Sequence, residues 1–286
     1  MGAAPESTAP RITMRELLDR YDALFLDAYG VLVAERGAIA GAAELLTYLD
    51  RAQRNFLILT NDASRTPAET AAHFRELGLA VATERILTSG ELLKHYFATH
   101  DLIGGRCIVL GAERAKNFVR GLGVELVAAS AEADPHAVII CGTRGYDLLD
   151  EVEETLSAIY RSFDAGRAVH LVCPNPDIVY PKGHEAYGLA AGAVAHLIES
   201  GLDARYPHAG RRFVRLGKPH APIFEAALAR TQARRPVMIG DTLATDIAGA
   251  LACGIDATLV STGISRASQV GGASARPTWI LDSLAI

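Results

Sequence analysis

The chain has 286 residues, half of them hydrophobic and 21% charged, and a net charge of -5 at pH 7. That length holds one large domain or two ordinary ones with a substantial core, and the mild negative charge gives no reason to expect nucleic acid or an acidic membrane as the main partner. Cys107, Cys141, Cys173 and Cys253 lie far apart with no CxxC among them, the pattern of reduced core thiols in a cytoplasmic protein.

Residues 1–10 have neither an apolar segment nor basic residues, so a flexible tail is expected there, not a signal peptide or an anchor. After a short helix, Thr13 to Asp19, the run Ala23-Leu24-Phe25-Leu26-Asp27 reads as a buried strand closed by the turn residues Ala28-Tyr29-Gly30. Ligands bind at the carboxyl ends of strands in open parallel sheets, which puts Asp27 at such an end, although an Asp there also serves as a turn former. A helix around Ala42 to Ala52 and a second strand, Phe56 to Leu59, follow, and the strand ends in Thr60-Asn61-Asp62. Thr66-Pro67-Ala68-Glu69 has the form of a capping box with proline at the first helical position, and Gly78 closes that helix. The β-α-β-α order implies parallel strands joined by right-handed crossovers.

From about residue 85 the alternation starts afresh. Cys107 to Leu110, Val124 to Val127, Ala137 to Cys141 and Ala168 to Cys173 read as strands, with helices ending near Gly121 and spanning Leu148 to Phe163. These elements suffice for a small α/β layer of their own. Polar strand ends return near residue 210: Phe213 to Leu216 leads into Gly217-Lys218-Pro219, Val237 to Ile239 into Gly240-Asp241-Thr242, and Ala257 to Val260 into Ser261-Thr262-Gly263. Asp246 opens a helix that Gly254 ends. The reading is an α/β protein with a doubly wound, Rossmann-like parallel-sheet core from 11–84 and 205–286, and an inserted α/β domain over 85–204.

Parallel neighbouring strands bring Asp27, Thr60, Asn61, Lys218, Asp241 and Asp246 to one edge of the sheet. Carboxylates gathered at one place repel unless a hard cation lies between them, and Mg²⁺ takes one or two carboxylates plus phosphate oxygens. A lysine and a threonine hydroxyl suit the remaining phosphate oxygens. Singly, Lys218 reads as a surface lysine and Asp246 as a first-turn helix acid; together the six read as a phosphate site. The nine histidines show no metal-ligand spacing, and no dinucleotide fingerprint is present.

These segments resemble the haloacid dehalogenase-like superfamily of aspartate-nucleophile phosphohydrolases, in the subgroup with a large inserted α/β cap that includes nitrophenyl phosphatase and phosphoglycolate phosphatase-like enzymes. Leu59-Thr60-Asn61-Asp62-Ala63-Ser64-Arg65-Thr66-Pro67 is similar to the subgroup's LTNNSSRTP, Gly217-Lys218-Pro219 to its GKP, and Gly240 to Ile247 to its GDxxxTDI. Asn175-Pro176-Asp177 resembles the NPD segment of its caps. The resemblance implies Asp27 as a nucleophile that forms an aspartyl-phosphate, Lys218 offsetting charge, and Thr60 with Asn61 holding phosphoryl oxygens. It further implies Asn175 and Asp177 as substrate contacts, and Mg²⁺ held by Asp27, the Tyr29 carbonyl, Asp241 and Asp246. The partner implied is a small phosphate ester, and caps of this type can dimerise.

One position departs from the pattern. The subgroup's first motif is DxDG, whose second Asp protonates the leaving group and activates water; here that position is Tyr29. A missing general acid costs about a hundred- to ten-thousand-fold in rate, and a tyrosine hydroxyl, with an ordinary pKa of about 10, is a poor replacement. The expectation is a Mg²⁺-dependent phosphatase, slowed at leaving groups that need a proton. A phosphate-ester binding or regulatory protein is one alternative. A metal-independent haloacid dehalogenase, whose own motif carries tyrosine at this position, is the other. Selectivity is expected from Thr143-Arg144-Gly145-Tyr146 and from Asn175 to Glu185, where Lys182 and His184 read as either loop residues or substrate contacts.

Overall fold

The computed structural model describes residues 9–34, 37–182 and 186–286, and the chain forms two compact units. The expected tail therefore falls mostly outside the described residues. Its last residue does not: the Pro10 carbonyl accepts from Ile280 N at 2.9 Å, and Arg11–Ile12 is already a strand.

The first unit takes residues up to 60, 67–87 and 218–286. Its seven-stranded sheet runs, edge to edge, Arg11–Ile12, Trp279–Leu281, Asp256–Val260, Pro236–Gly240, Ala23–Asp27, Asn55–Thr60 and Ile86–Thr88. The pairings from Arg11–Ile12 across to Asn55–Thr60 are all parallel. Ala23–Asp27 is buried along its whole length, as expected of a strand covered on both faces. Leu24, Leu26, Phe56 and Ile58 pack on Leu17, Leu45, Leu49 and Phe74 of the helices Met14–Arg20, Ala42–Arg51 and Pro67–Glu76. Phe25, Leu57 and Met238 alternate to the opposite face and are equally buried, and the helix Ala221–Thr231 packs against Asn55–Thr60. The sheet is thus doubly wound, as the sequence reading expected.

The second unit, 61–66 and 88–217, has a five-stranded parallel sheet in the order Val214–Arg215, His170–Cys173, Ala137–Ile140, Arg106–Leu110 and Glu125–Leu126. Ile108, Leu110, Val138 and Ile140 face the helices Leu148–Asp164 and Ala191–Arg205, whereas Cys107, Val109, Ala137 and Ile139 face Leu92–Thr99 and Glu113–Arg120.

The boundaries differ from those read in the sequence. Ile86–Thr88 belongs to the seven-stranded sheet, and Phe213 to Leu216, expected in the core segment, belongs to the second unit. The physical reason lies in side chains remote in sequence. Val214 and Arg215 pair with Val172 and Cys173, Phe213 is buried in that unit's core, and the Glu199 carboxylate accepts from Phe213 N and from Arg215, each at 2.8 Å.

Candidate active site

The register sets out the site. Asp27 ends the interior strand Ala23–Asp27 and pairs with Leu59, so Thr60 lies one position beyond it on one side. On the other side Leu26 pairs with Ile239, so Asp241 follows directly on Gly240, the residue level with Asp27. Later strands are added to either side of this strand, which makes its carboxyl end the point where the order reverses and where such sheets bind ligands.

Lys218 closes the group. Its Nζ donates to Asp27 Oδ1 at 2.5 Å, to Asp246 Oδ1 at 2.7 Å and to the Leu59 carbonyl at 3.2 Å, and the side chain is buried. The other oxygen of Asp246 accepts from the main-chain amides of Asp241 at 3.2 Å and Thr242 at 3.1 Å. That second edge is supplied by a single π-helical turn, Leu243–Ile247, ahead of the helix Ala248–Ala252. Asp241 is wrapped by the loop after Asp256–Val260, from which Ile264 N donates to its Oδ2 at 2.8 Å and Ser265 N to its carbonyl at 2.9 Å, while the hydroxyl of its own neighbour Thr242 donates to its Oδ1 at 2.9 Å. Two glycines make room for this carboxylate, because a Cβ built at Gly30 or at Gly263 would overlap it. Gly30 also has φ +87°, which a larger residue resists.

One carboxylate oxygen from each of Asp27, Asp241 and Asp246 lies within 4.8 Å of the others. Three carboxylates against one ammonium leave two uncompensated negative charges in a buried place. Burial first, and then repulsion from Asp246 and Asp241 against the opposing pull of Lys218, raises the Asp27 carboxyl well above its ordinary range. Burial and the Asp246 charge push Asp241 up to about 6. Lys218 moves up as well: burial alone would lower it, but Asp246 and Asp27 outweigh that, so it stays an ammonium. The donors are hard oxygens, the deficit matches a divalent cation, and no sulfur or imidazole enters the group, so these residues fit Mg²⁺.

Other expected site residues fall as follows. Thr60 is buried at its strand end. Tyr29 lies in a tight loop where Gly30 N donates to the Val33 carbonyl at 2.8 Å, and its side chain is 46% exposed, so it does not occupy a buried acid's place. Asn61, Asn175 and Asp177 belong to the second unit and bond to one another: Asn61 Nδ2 donates to Asp177 Oδ1 at 2.8 Å, and Asp177 N to Asn175 Oδ1 at 3.0 Å. The Thr143 hydroxyl is taken up by the Leu189 carbonyl at 2.9 Å. Lys182 is exposed, and His184 lies outside the described residues. The sequence reading missed the loop that holds Asp241. Its signal was Ser261-Thr262-Gly263, a polar strand end of the kind that marked the other site segments.

The chain is similar to known proteins along most of its length. Residues 24–125 match the family described as haloacid dehalogenase-like hydrolase, and 215–285 match the HAD-hydrolase-like family. Dihydroxyacetone phosphatase of Corynebacterium glutamicum (strain R) is 30% identical over 261 residues, 91% of this chain and 88% of its own length. A possible sugar phosphatase of the HAD superfamily from Cytophaga hutchinsonii superposes with a TM-score of 0.83 at 30% identity, covering 97% of this chain and 99% of that one. Glycerol phosphate phosphatase from Mycobacterium tuberculosis, solved in complex with magnesium, superposes with a TM-score of 0.75 at 28% identity over 94% of this chain and 76% of its own.

Proposed function

The chain belongs to the haloacid dehalogenase-like hydrolases, and from that premise we propose a Mg²⁺-dependent phosphatase of small phosphate monoesters that works through an aspartyl-phosphate on Asp27. The observation that carries the reading is the buried Asp27 carboxylate at the end of Ala23–Asp27, held through one oxygen by Lys218 at 2.5 Å and grouped with Asp241 and Asp246.

Asp27 attacks phosphorus, the bond to the ester oxygen breaks, and the departing alkoxide takes a proton from solvent water. Water then attacks the phosphorus of the acyl phosphate, releasing inorganic phosphate and restoring the carboxylate. Lys218 keeps its proton throughout, since its pKa is raised, and so acts as fixed positive charge beside the nucleophile and not as a base. Thr60 and the main chain after it hold the phosphoryl oxygens. Asp27, Asp241, Asp246 and the Tyr29 carbonyl would hold Mg²⁺, which would supply charge neutralisation and a template for in-line transfer.

Tyr29 offers no carboxylate to protonate the ester oxygen or to activate water. Esters whose leaving groups are stable as anions are therefore the fast substrates. Halide displacement needs no divalent cation, so the grouping of Asp27, Asp241 and Asp246 as a cation site disfavours that alternative. Reduced thiols at Cys107, Cys141, Cys173 and Cys253 support a cytoplasmic setting. Among the described residues no helix is long and apolar enough to cross a membrane.

The test is p-nitrophenyl phosphate hydrolysis with Mg²⁺ and with EDTA, in the wild type and in Asp27→Asn. Turnover that needs both the metal and Asp27 is expected. Phosphate release indifferent to either, or chloride release from 2-chloropropionate in EDTA, would overturn the reading. Tight phosphate-ester binding without turnover would favour a binding protein.

A further inference from the structure

We propose that the turn Asn175-Pro176-Asp177 is a clamp that positions Thr60 and Lys218 for reaction, not a contact to substrate; the inference rests on the roles given to those two residues above. The chain passes from the first unit to the second between Thr60 and Asn61, and returns between Gly217 and Lys218. Inside the second unit the turn engages the residue on its side of each of these crossings.

At the first crossing, Asn61 Nδ2 donates to Asp177 Oδ1 at 2.8 Å, and the buried Ser89 hydroxyl donates to the Asn61 carbonyl at 2.8 Å. At the second, Gly217 lies so close that a methyl group there would stand 2.5 Å from Asn61 Oδ1 and 2.8 Å from both the Pro174 carbonyl and Pro176 Cδ. The turn is itself fixed. Asp177 N donates to Asn175 Oδ1 at 3.0 Å, the Cys173 thiol to the Asn175 carbonyl at 3.0 Å, and Gly192 N to the Asp177 carbonyl at 2.9 Å. A Cβ at Gly192 would overlap the Pro176 carbonyl, so the helix start fits against the turn only as glycine.

The two acceptor atoms that tie the turn together are engaged within the unit: Asp177 Oδ1 by Asn61, and Asn175 Oδ1 by the turn's own amide. What the arrangement can do is hold position. Successive Cα atoms are about 3.8 Å apart, so fixing Asn61 and Gly217 leaves Thr60 and Lys218 little freedom, and a misplacement of about 1 Å in a site costs about a hundredfold.

The experiment is steady-state hydrolysis of p-nitrophenyl phosphate with Mg²⁺ by Asn61→Ala, Asp177→Ala, the double variant and Asp177→Asn, with amide hydrogen exchange measured on the same proteins without substrate. Each alanine variant should lower kcat by about ten- to a hundredfold with KM little changed. The double variant should lose no more than the worse single. Asp177→Asn keeps an acceptor for the Asn61 amide and should stay within about threefold of wild type. Exchange over 59–62 and 216–219 should rise in Asp177→Ala and not in Asp177→Asn. Losses that multiply in the double variant, an Asp177→Asn as impaired as Asp177→Ala, a rise in KM with kcat intact, or unchanged exchange would each overturn the clamp. Since exchange is read without turnover, a wild type inactive on phosphate esters would sink the phosphatase reading and leave the clamp separately testable.

Discussion

Asp246→Asn tests the charge arrangement directly, because an amide cannot serve both edges of the carboxylate it replaces. One edge of Asp246 faces Lys218 Nζ at 2.7 Å, and the other faces the amides of Asp241 and Thr242 at 3.2 and 3.1 Å. With the amide oxygen on Lys218, its NH₂ confronts two main-chain donors, each of which loses its acceptor at about 1–3 kcal/mol. With the NH₂ on Lys218, a donor faces a buried ammonium, and removing one partner of a buried ion pair costs about 3–5 kcal/mol. Either way the loss is at least about 2–3 kcal/mol. An opposing term exists, since the Asp246 charge helps raise the carboxyls of Asp27 and Asp241, and its removal relieves both. A bound divalent cation already neutralises that repulsion, so the relief counts only in the metal-free protein. Thermal unfolding should therefore show Asp246→Asn below wild type by about 5–12 °C in saturating Mg²⁺, and by clearly less in EDTA. A variant as stable as wild type in Mg²⁺, or one destabilised equally in EDTA, would refute the geometry or the cation.

Asp27→Asn should lower turnover of p-nitrophenyl phosphate by about 10⁴-fold or more while Mg²⁺-free stability rises, because one buried charge is removed; residual activity above a hundredth of wild type would count against Asp27 as nucleophile. Lys218→Met leaves Asp27 and Asp246 without their shared ammonium. Urea unfolding should show a loss of about 3–5 kcal/mol, and retention of full stability would show the pair contributes nothing. In EDTA, stability should fall as pH rises from about 4 through about 6. Asp241 has its folded pKa raised to about 6, so the folded state binds more protons than the unfolded one in that window, and that contribution is full below the unfolded value and lost above the folded one. A flat or rising urea midpoint between those pH values would contradict the sign. Tyr29→Asp should raise kcat on an alkyl phosphate by about 10²- to 10⁴-fold and on p-nitrophenyl phosphate by much less; equal gains on both would mean that leaving-group protonation is not what Tyr29 lacks.

The core and its chemistry were legible because strand ends carry unusual residues. A buried run ending in Asp27, another ending in Thr60, and Asp241 one step past its strand are signals local in sequence, and the parallel register then dictates that they meet. Phe213 to Leu216 was not legible in the same way. An apolar run of that length fits either sheet, and what decided between them was a pairing with His170–Cys173 and two bonds to Glu199 on a helix. The short strands Arg11–Ile12 and Trp279–Leu281 were missed because two or three residues give no period to read. Asn61 was grouped with Thr60 because they are adjacent, yet its side chain answers to Asp177, more than a hundred positions later.

Motif spacing also hid why the glycines of the site segments are glycine. Gly30 and Gly263 follow Asp27 and the strand Asp256–Val260, and each occupies a place where a Cβ would overlap the Asp241 carboxylate; Gly240 would similarly overlap Asp246. Three backbone segments can close around two carboxylates only if all of them lack side chains there. Burial first raises Asp27 and Asp241, the closeness of the acids adds their repulsion, and three carboxylates against one ammonium leave a deficit of two charges. A larger residue at Gly263 should therefore weaken Mg²⁺ binding by pushing Asp241 outward, even though Gly263 contributes no ligand. Titration of Gly263→Ala with Mg²⁺ checks this: a half-saturating concentration raised at least about tenfold is expected, and an unchanged one would mean that the loop yields and the carboxylate does not.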